Sequence, residues 1–346
     1  VYGRNKRSLA LDFRADGAAD LLARLFAMAD IVLEGFRPGT FEKMGFPPEI
    51  FLDRYPDTIL VRVSGFGQTG PYTQMPGFGT LVESMSGFAS RNGYAESDPL
   101  LPPLALADMI AGLSGAFATV SALRAKEIGS KGGQIIDLSL LEPITSVLGP
   151  EAAAYQLTGK ARPRLGNASN LSSPRNVYGT KDGHHIAMSG STQAMAERIF
   201  RTIGRADMID DPRYANNSER LKRRGEVDAA IGGWIAERSR DDVLKTFREA
   251  GVTASPIYDI ADICEDRHFH ERGIFVDLPD DELGTVAMHD VVPRLSGTPG
   301  AIRTPAPALG AHSDAVLKEA GLTQSECDVL CAKGVIAGKT TSEKVE

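Results

Sequence analysis

The sequence predicts an α/β protein: a parallel sheet in a larger first part, with a smaller α+β part behind it. Three observations carry this. Short apolar, β-branched runs alternate with amphipathic stretches through residues 9–64, the signature of a parallel sheet. A polar segment rich in Pro, Gly and Asn at 161–175 marks a shift in composition. Beyond it, paired extended runs replace the alternation. At 346 residues the chain is long enough for two domains.

In order, residues 9–13 read as a strand, 16–29 as an amphipathic helix and 30–34 as a short apolar strand. Residues 38–55 hold one or two short helices, and 58–64 form another β-branched strand. Small-residue helices follow at 104–126 and 138–158, joined by a turn with Gly129, Gly132 and Gly133. Residues 177–188 read as two strands around an Asp182-Gly183 turn. Helical patterns cover 192–203 and 218–250. Extended runs cover 254–258, 273–278 and 284–289, a Pro-rich return spans 293–307, and a last helix covers 313–320. The expected domains are 1–165, a smaller α+β domain with its linker at 166–292, and a return linker with C-terminal helices at 293–346 packing on the first domain.

Composition narrows the function. Hydrophobic residues make up 42% and charged residues 24%, with a net charge of -7, the values of a globular protein without a nucleic-acid partner. The densest basic cluster, Arg220, Lys222, Arg223 and Arg224, is flanked by Glu219 and Glu226 and reads as a solvated helix face. Three cysteines make no disulfide framework and suit a reducing cytoplasm. With no signal peptide visible, the expected location is cytoplasmic. The run at 104–123 has the length of a membrane span, but Asp108 lies within it. A central charge costs about 2.5–3.5 kcal/mol on insertion scales, so a buried helix and no membrane contact are expected.

Among motifs, Gly65-Phe-Gly-Gln-Thr-Gly70 has the spacing of a dinucleotide fingerprint, but Pro71 and Pro76 follow where a helix must open. It reads as a mobile loop near a site. Cys264, His268 and His270, like His184 and His185, have no further ligands nearby, so no metal site is expected. No G-x-S-x-G, P-loop or H-E-x-x-H occurs, so nothing supports a Ser or Cys nucleophile, while a carboxylate nucleophile stays open. Asp108 opens the small-residue run. It reads both as a helix cap and as a working carboxylate, held ionised by backbone amides and the positive end of the helix dipole.

With Glu34-Gly-Phe-Arg-Pro-Gly39, Lys43-Met-Gly45, Ser64-Gly-Phe-Gly-Gln-Thr-Gly-Pro-Tyr72, Leu106-Ala-Asp108, Gly133-Gln-Ile-Ile-Asp-Leu-Ser139 and Leu309-Gly-Ala-His312 in this order, the chain resembles the class III CoA-transferases of the CaiB/BaiF type. The resemblance covers nearly the whole chain. It implies a Rossmann-like large domain and a small domain in an interlocked homodimer, with acyl-CoA and a carboxylic acid as substrates and no permanently bound cofactor. It implies that Asp108 attacks the thioester and carries CoA through an aspartyl anhydride and an aspartyl-CoA thioester. By resemblance Phe36, Lys43 and Met44 meet CoA, and Lys6 and Arg7 lie near its nucleotide. Lys43 stands where a relative has arginine and binds phosphate as a point charge. Gly65, Gly67 and Gly70, with Gly77, Phe78 and Gly79, form the expected active-site loops. Racemases of this fold carry a proton-transferring histidine where this chain has Phe78, and a phenyl ring moves no proton. Acyl-CoA racemase activity and a non-catalytic CoA-binding remnant are the alternatives. Relatives carry about 50–60 residues ahead of the position of Val1, including a first strand that covers a sheet edge. The glycine-rich lid of some relatives has no match at 166–175.

Overall fold

Three short parallel strands position the candidate site: β1 (Ile31–Glu34), β2 (Ile59–Ser64) and β3 (Ile135–Ser139), paired in that order. Leu33 stands opposite Val61, and Arg62 opposite Asp137. The computed structural model describes residues 1–129, 131–280 and 282–337. In chain order the accompanying helices are α1 (Ala18–Ala27), α2 (Thr40–Lys43), α3 (Pro48–Arg54), α4 (Gly79–Met85), α5 (Phe88–Arg91), α6 (Leu106–Glu127), α7 (Leu141–Ser146) and α8 (Glu151–Thr158). Next come β4 (Arg175–Gly179), β5 (His185–Ser189), α9 (Gln193–Thr202), α10 (Asp207–Asp210), α11 (Asn217–Lys222), α12 (Arg224–Ala236), α13 (Arg240–Glu249) and β6 (Ala254–Pro256). The chain finishes with α14 (Ile260–Glu265), α15 (Arg267–Glu271), β7 (Phe275–Asp280), β8 (Gly284–His289), α16 (Ser313–Glu319) and α17 (Gln324–Ala332).

The described chain forms two units. Val1–Ser86, Pro102–Leu148 and the residues from 267 onward make the first; Gly87–Leu101 and Gly149–Asp266 make the second. These bounds differ from the domains expected at 1–165, 166–292 and 293–346. Residues 149–165 join the second unit, where Glu151 pairs with Arg91 and Arg162. The β7–β8 hairpin joins the first, where Arg4 donates to the His289 carbonyl. Of the expected C-terminal region, 338–346 lie outside the described residues.

In the first unit, α1, α2 and α3 close over one face of the sheet. Leu22, Val32, Phe41, Phe46, Phe51, Tyr55 and Leu60 form a buried cluster, each large side chain contributing about 1.5–3 kcal/mol on burial. Behind α1, Leu317, Leu322 and Cys327 of the C-terminal segment pack on Ala18 and Leu21. In the second unit, α9, α12 and α13 cover the antiparallel sheet β4–β5–β6 around Ile186, Ile199, Ile231 and Phe247.

Several elements depart from the sequence reading. Residues 9–13 form no sheet strand; Leu11 makes an isolated bridge to Ile336. Residues 135–139, expected as loop and helix start, are β3, because Ile136 and Leu138 complete the sheet beside β2. The helix expected at 138–158 breaks at Gly149-Pro150 into α7 and α8, and that expected at 218–250 is three helices. The basic cluster is not all solvated. Arg220 is fully buried, donating to the Ser173 carbonyl at 2.7 Å and to Gln193 Oε1 at 2.7 Å.

Helix α6 is the main correction. It was expected to be buried, yet only 22% of its most apolar stretch is. Ala107, Ala111 and Gly115 face inward, and their small size lets the helix lie close against Leu138. Leu113 and Phe117 face outward, 76% and 77% exposed. By length and composition alone, α6 could cross a membrane.

Candidate active site

Asp108 is the third residue of α6, and its carboxylate is exposed. The helix starts behind Ala105, which supplies no side-chain cap, so Asp108 is not the cap that its position in the sequence predicts. The cap comes from α4. Glu83, only 3% exposed, accepts a hydrogen bond from the Ala107 amide at 3.1 Å. A carboxylate fits there because first-turn amides lack intrahelical partners and carry the positive end of the dipole. Glu83 thereby holds the turn that carries Asp108.

Gly79, the first residue of α4, passes directly over Asp108. A Cβ at residue 79 would collide with Asp108 Oδ2 and would lie 4.0 Å from Glu83 Oε1. The preceding loop is equally tight. A Cβ on Gly65 would stand 2.6 Å from the Gly77 Cα, and one on Gly77 would stand 2.7 Å from the Gly65 Cα. These two loops touch backbone to backbone because neither residue has a side chain.

The loop after β2 is pinned at two points. Ser64 Oγ accepts from the Gly67 amide at 3.0 Å, and the Asp137 carboxylate accepts from the Gln68 amide at 3.1 and 3.0 Å. Gly67 and Gly70 have φ near 91° and 90°, where side-chain-bearing residues are strained. No helix opens behind Gly70; the next begins at Gly79. The geometry is that of a loop, not of a pyrophosphate-binding turn.

The loop after β1 forms the opposite wall. Glu34 is buried and accepts from the Phe36 amide at 2.8 Å through Oε2. Its Oε1 pairs with Arg62 at 2.8 Å, and Arg62 reaches Glu42 at 2.8 Å. Burial pulls the Arg62 guanidinium toward losing its proton. The hydrogen bonds to Glu34 and Glu42 outweigh that pull and leave its pKa raised.

Asp108, Phe36, Gly65, Gly77, Phe78 and Gly79 line one cleft of about 330 Å³, and Arg37 lines it with them. Gly67 and Gly70 sit in the same loop but away from the cleft lining. Lys43 ends α2 with an exposed side chain, and Met44 packs on the Phe41 cluster. Lys6 donates to the Tyr2 carbonyl, and Arg7 pairs with Glu319 at 2.7 Å. None of these last four lines the cleft. An apolar groove of about 490 Å³ runs from Asp108 along α6 past Ala111, Gly115 and Leu138. Among the described residues, no group of three His, Cys, Asp or Glu side chains could hold a metal ion.

The sequence reading missed Glu83 and Arg37. Glu83 leaves one trace, an acidic residue directly after the fully buried Val82 on a short helix. Arg37 stood inside a quoted motif but was not singled out.

The chain is 34% identical over 337 residues to a succinyl-CoA–D-citramalate CoA-transferase of Chloroflexus aurantiacus, covering 97% of this chain and 84% of that one. It is 33% identical over 317 residues to a succinate–glutarate CoA-transferase of Agrobacterium fabrum, covering 91% and 78%. The crystal structure of a CAIB/BAIF family protein from Brucella suis superposes with a TM-score of 0.78 at 30% identity, over 92% of this chain and 82% of that one. The sequence model of CoA-transferase family III matches residues 1–313, and the chain belongs to that family.

Proposed function

We propose that the protein moves CoA from an acyl-CoA thioester to a carboxylic acid through covalent intermediates on Asp108. The observation that carries this reading is the placement of Asp108. Its carboxylate stands in the first turn of α6, under Gly79, as the only anion lining the cleft among the described residues. An Asp108 oxygen attacks the thioester carbonyl, the C–S bond breaks, and CoA leaves as thiolate with the electron pair. The thiolate attacks the Asp108 carbonyl of the resulting anhydride, expelling the donor's carboxylate and leaving an aspartyl-CoA thioester. An acceptor carboxylate then attacks that thioester, and the same steps run in reverse.

Each tetrahedral intermediate needs donors for its oxyanion. The amides of Gly67 and Gln68 are committed to Ser64 and Asp137. Those of Gly77 and Gly79 have no partner among the described residues and are the better candidates. Anhydride chemistry also needs water kept out. Asp108 is exposed in one chain, so the closing surface must come from bound substrate or a second copy.

The expected interlocked homodimer and Rossmann-like classification belong to this proposal. The outward apolar face of α6, with Leu113, Phe117 and Val120 exposed, supports a partner surface, since monomers rarely leave such faces bare. A light-scattering mass of twice 37.0 kDa is expected. Phe78 beside Asp108 supports transfer over racemisation. The direct test is Asp108→Ala, which should abolish CoA exchange while CoA binding by calorimetry survives. Retained exchange would refute the role of Asp108.

A further inference from the structure

We propose that Arg37 binds the second carboxylate of a dicarboxylic substrate, making the cleft selective for dicarboxylic over monocarboxylic acyl groups. The inference rests on the transfer reading above. Among the described residues whose side chains line the cleft, only Asp108 and Arg37 are ionisable, and they have opposite charge. One is the nucleophile. The other is a cation without an assigned task.

The surrounding charges show why Arg37 is available. Two acidic residues lie close in sequence, Glu34 and Glu42, and both are committed to Arg62 at 2.8 Å. Arg62 and Glu34 of that network are buried, and Glu42 is partly exposed. Arg37 is exposed, and its guanidinium makes no ion pair or hydrogen bond with any described residue. Its backbone is nevertheless held. The Phe36 amide donates to Glu34 at 2.8 Å, and the Arg37 carbonyl accepts from the Thr40 amide at 3.0 Å. A fixed backbone thus presents the guanidinium at the cleft wall, where it is free to pair with an incoming anion.

The chemistry selects the anion. Every acid that passes through this cleft presents one carboxylate to the CoA-carrying aspartate. A monocarboxylic acyl group is neutral once joined to CoA and needs no cation. A dicarboxylic one keeps a negative charge beside Asp108, and two anions in a cleft of about 330 Å³ repel unless a cation offsets them. Guanidinium presents a planar fork that matches a carboxylate with two parallel hydrogen bonds. A CoA phosphate is the competing anion, and it would be shared by every ester whatever its acyl group.

The test measures exchange of labelled free acid into its own CoA ester. Malonyl-, succinyl- and glutaryl-CoA are compared with butyryl-CoA for the unmutated chain, Arg37→Met and Arg37→Lys. In Arg37→Met, the ratio of kcat/KM for the best dicarboxylic ester to that for butyryl-CoA should fall about 100-fold, the loss of a charged, bidentate contact. Arg37→Lys should fall between. An unchanged ratio overturns the assignment: equal losses on all esters would place Arg37 on CoA itself, and no loss would place it outside binding. If the unmutated chain exchanges no ester, the transfer reading fails first, a result distinct from a changed or unchanged ratio.

Discussion

Gly79 and Asp108 occupy adjoining space so closely that residue 79 has no room for a Cβ: it would overlap Oδ2 of the carboxylate. The obstructed atom is the end of a side chain, not backbone, so the fold can yield by turning Asp108 aside. Gly79→Ala should therefore cost activity and not stability. A nucleophile displaced by about 1 Å loses on the order of 100-fold in rate. The expected result is a fall in kcat of about that size, with the melting temperature close to that of the unmutated protein.

Glu83 acts on Asp108 from the other side, through the Ala107 amide. Glu83→Gln keeps an acceptor oxygen of the same reach and should retain kcat within about threefold, since cap strength depends mainly on the acceptor. Glu83→Leu removes the acceptor and leaves the amide buried without a partner, a penalty of about 1–3 kcal/mol. It should lower kcat about tenfold or more with little change in KM, read by steady-state kinetics. Loss of stability with unchanged kcat per folded molecule would show that Glu83 only supports the fold.

Arg62 is the centre of a buried ion network, 4% exposed between Glu34 and Glu42. Removing one member of such a network strands the others. Arg62→Met should destabilise the protein by about 3–5 kcal/mol in urea unfolding. It should also raise KM for acyl-CoA, because Glu34 holds the Phe36 amide at the cleft wall.

The capping box of α17 predicts a pH dependence. The Thr323 amide donates to the Glu326 carboxylate, which, together with the Thr323 hydroxyl and Arg24, holds the Glu326 carboxyl below its ordinary range. A carboxylate with a lowered folded-state pKa stabilises above its unfolded pKa, and the benefit is lost as pH falls through the folded value. Glu326→Gln should flatten the loss of urea-midpoint stability between about pH 5 and pH 3 relative to the unmutated chain.

Much of this architecture is legible in the sequence, and the exceptions have physical causes. Strands β1 and β2 show as β-branched runs, and α1 as an amphipathic period. β3 was obscured because Ile135 to Leu138 runs straight into Leu140 and Leu141, so an edge strand paired only with β2 and the next helix share one mostly apolar stretch. The 9–13 segment has strand composition, but its partner is Ile336, a pairing that local pattern does not reveal. Asp108 and the glycines stood out through motif spacing. Glu83 and Arg37 did not, because each matters through where the fold carries it. Glu83 caps a helix 24 residues further on, and Arg37 lines the cleft while the carboxylates nearest it in sequence pair with Arg62. The small residues of α6 read as a buried helix, but their apolar neighbours face outward.

A nucleophilic Asp108 becomes covalently loaded during turnover. The most direct measurement is peptide mass spectrometry of the protein incubated with a panel of acyl-CoA esters and quenched in acid. The expected result is a CoA or acyl adduct on the peptide containing Asp108, absent in Asp108→Ala. Turnover without any adduct on that peptide, or an adduct on another residue, would contradict it.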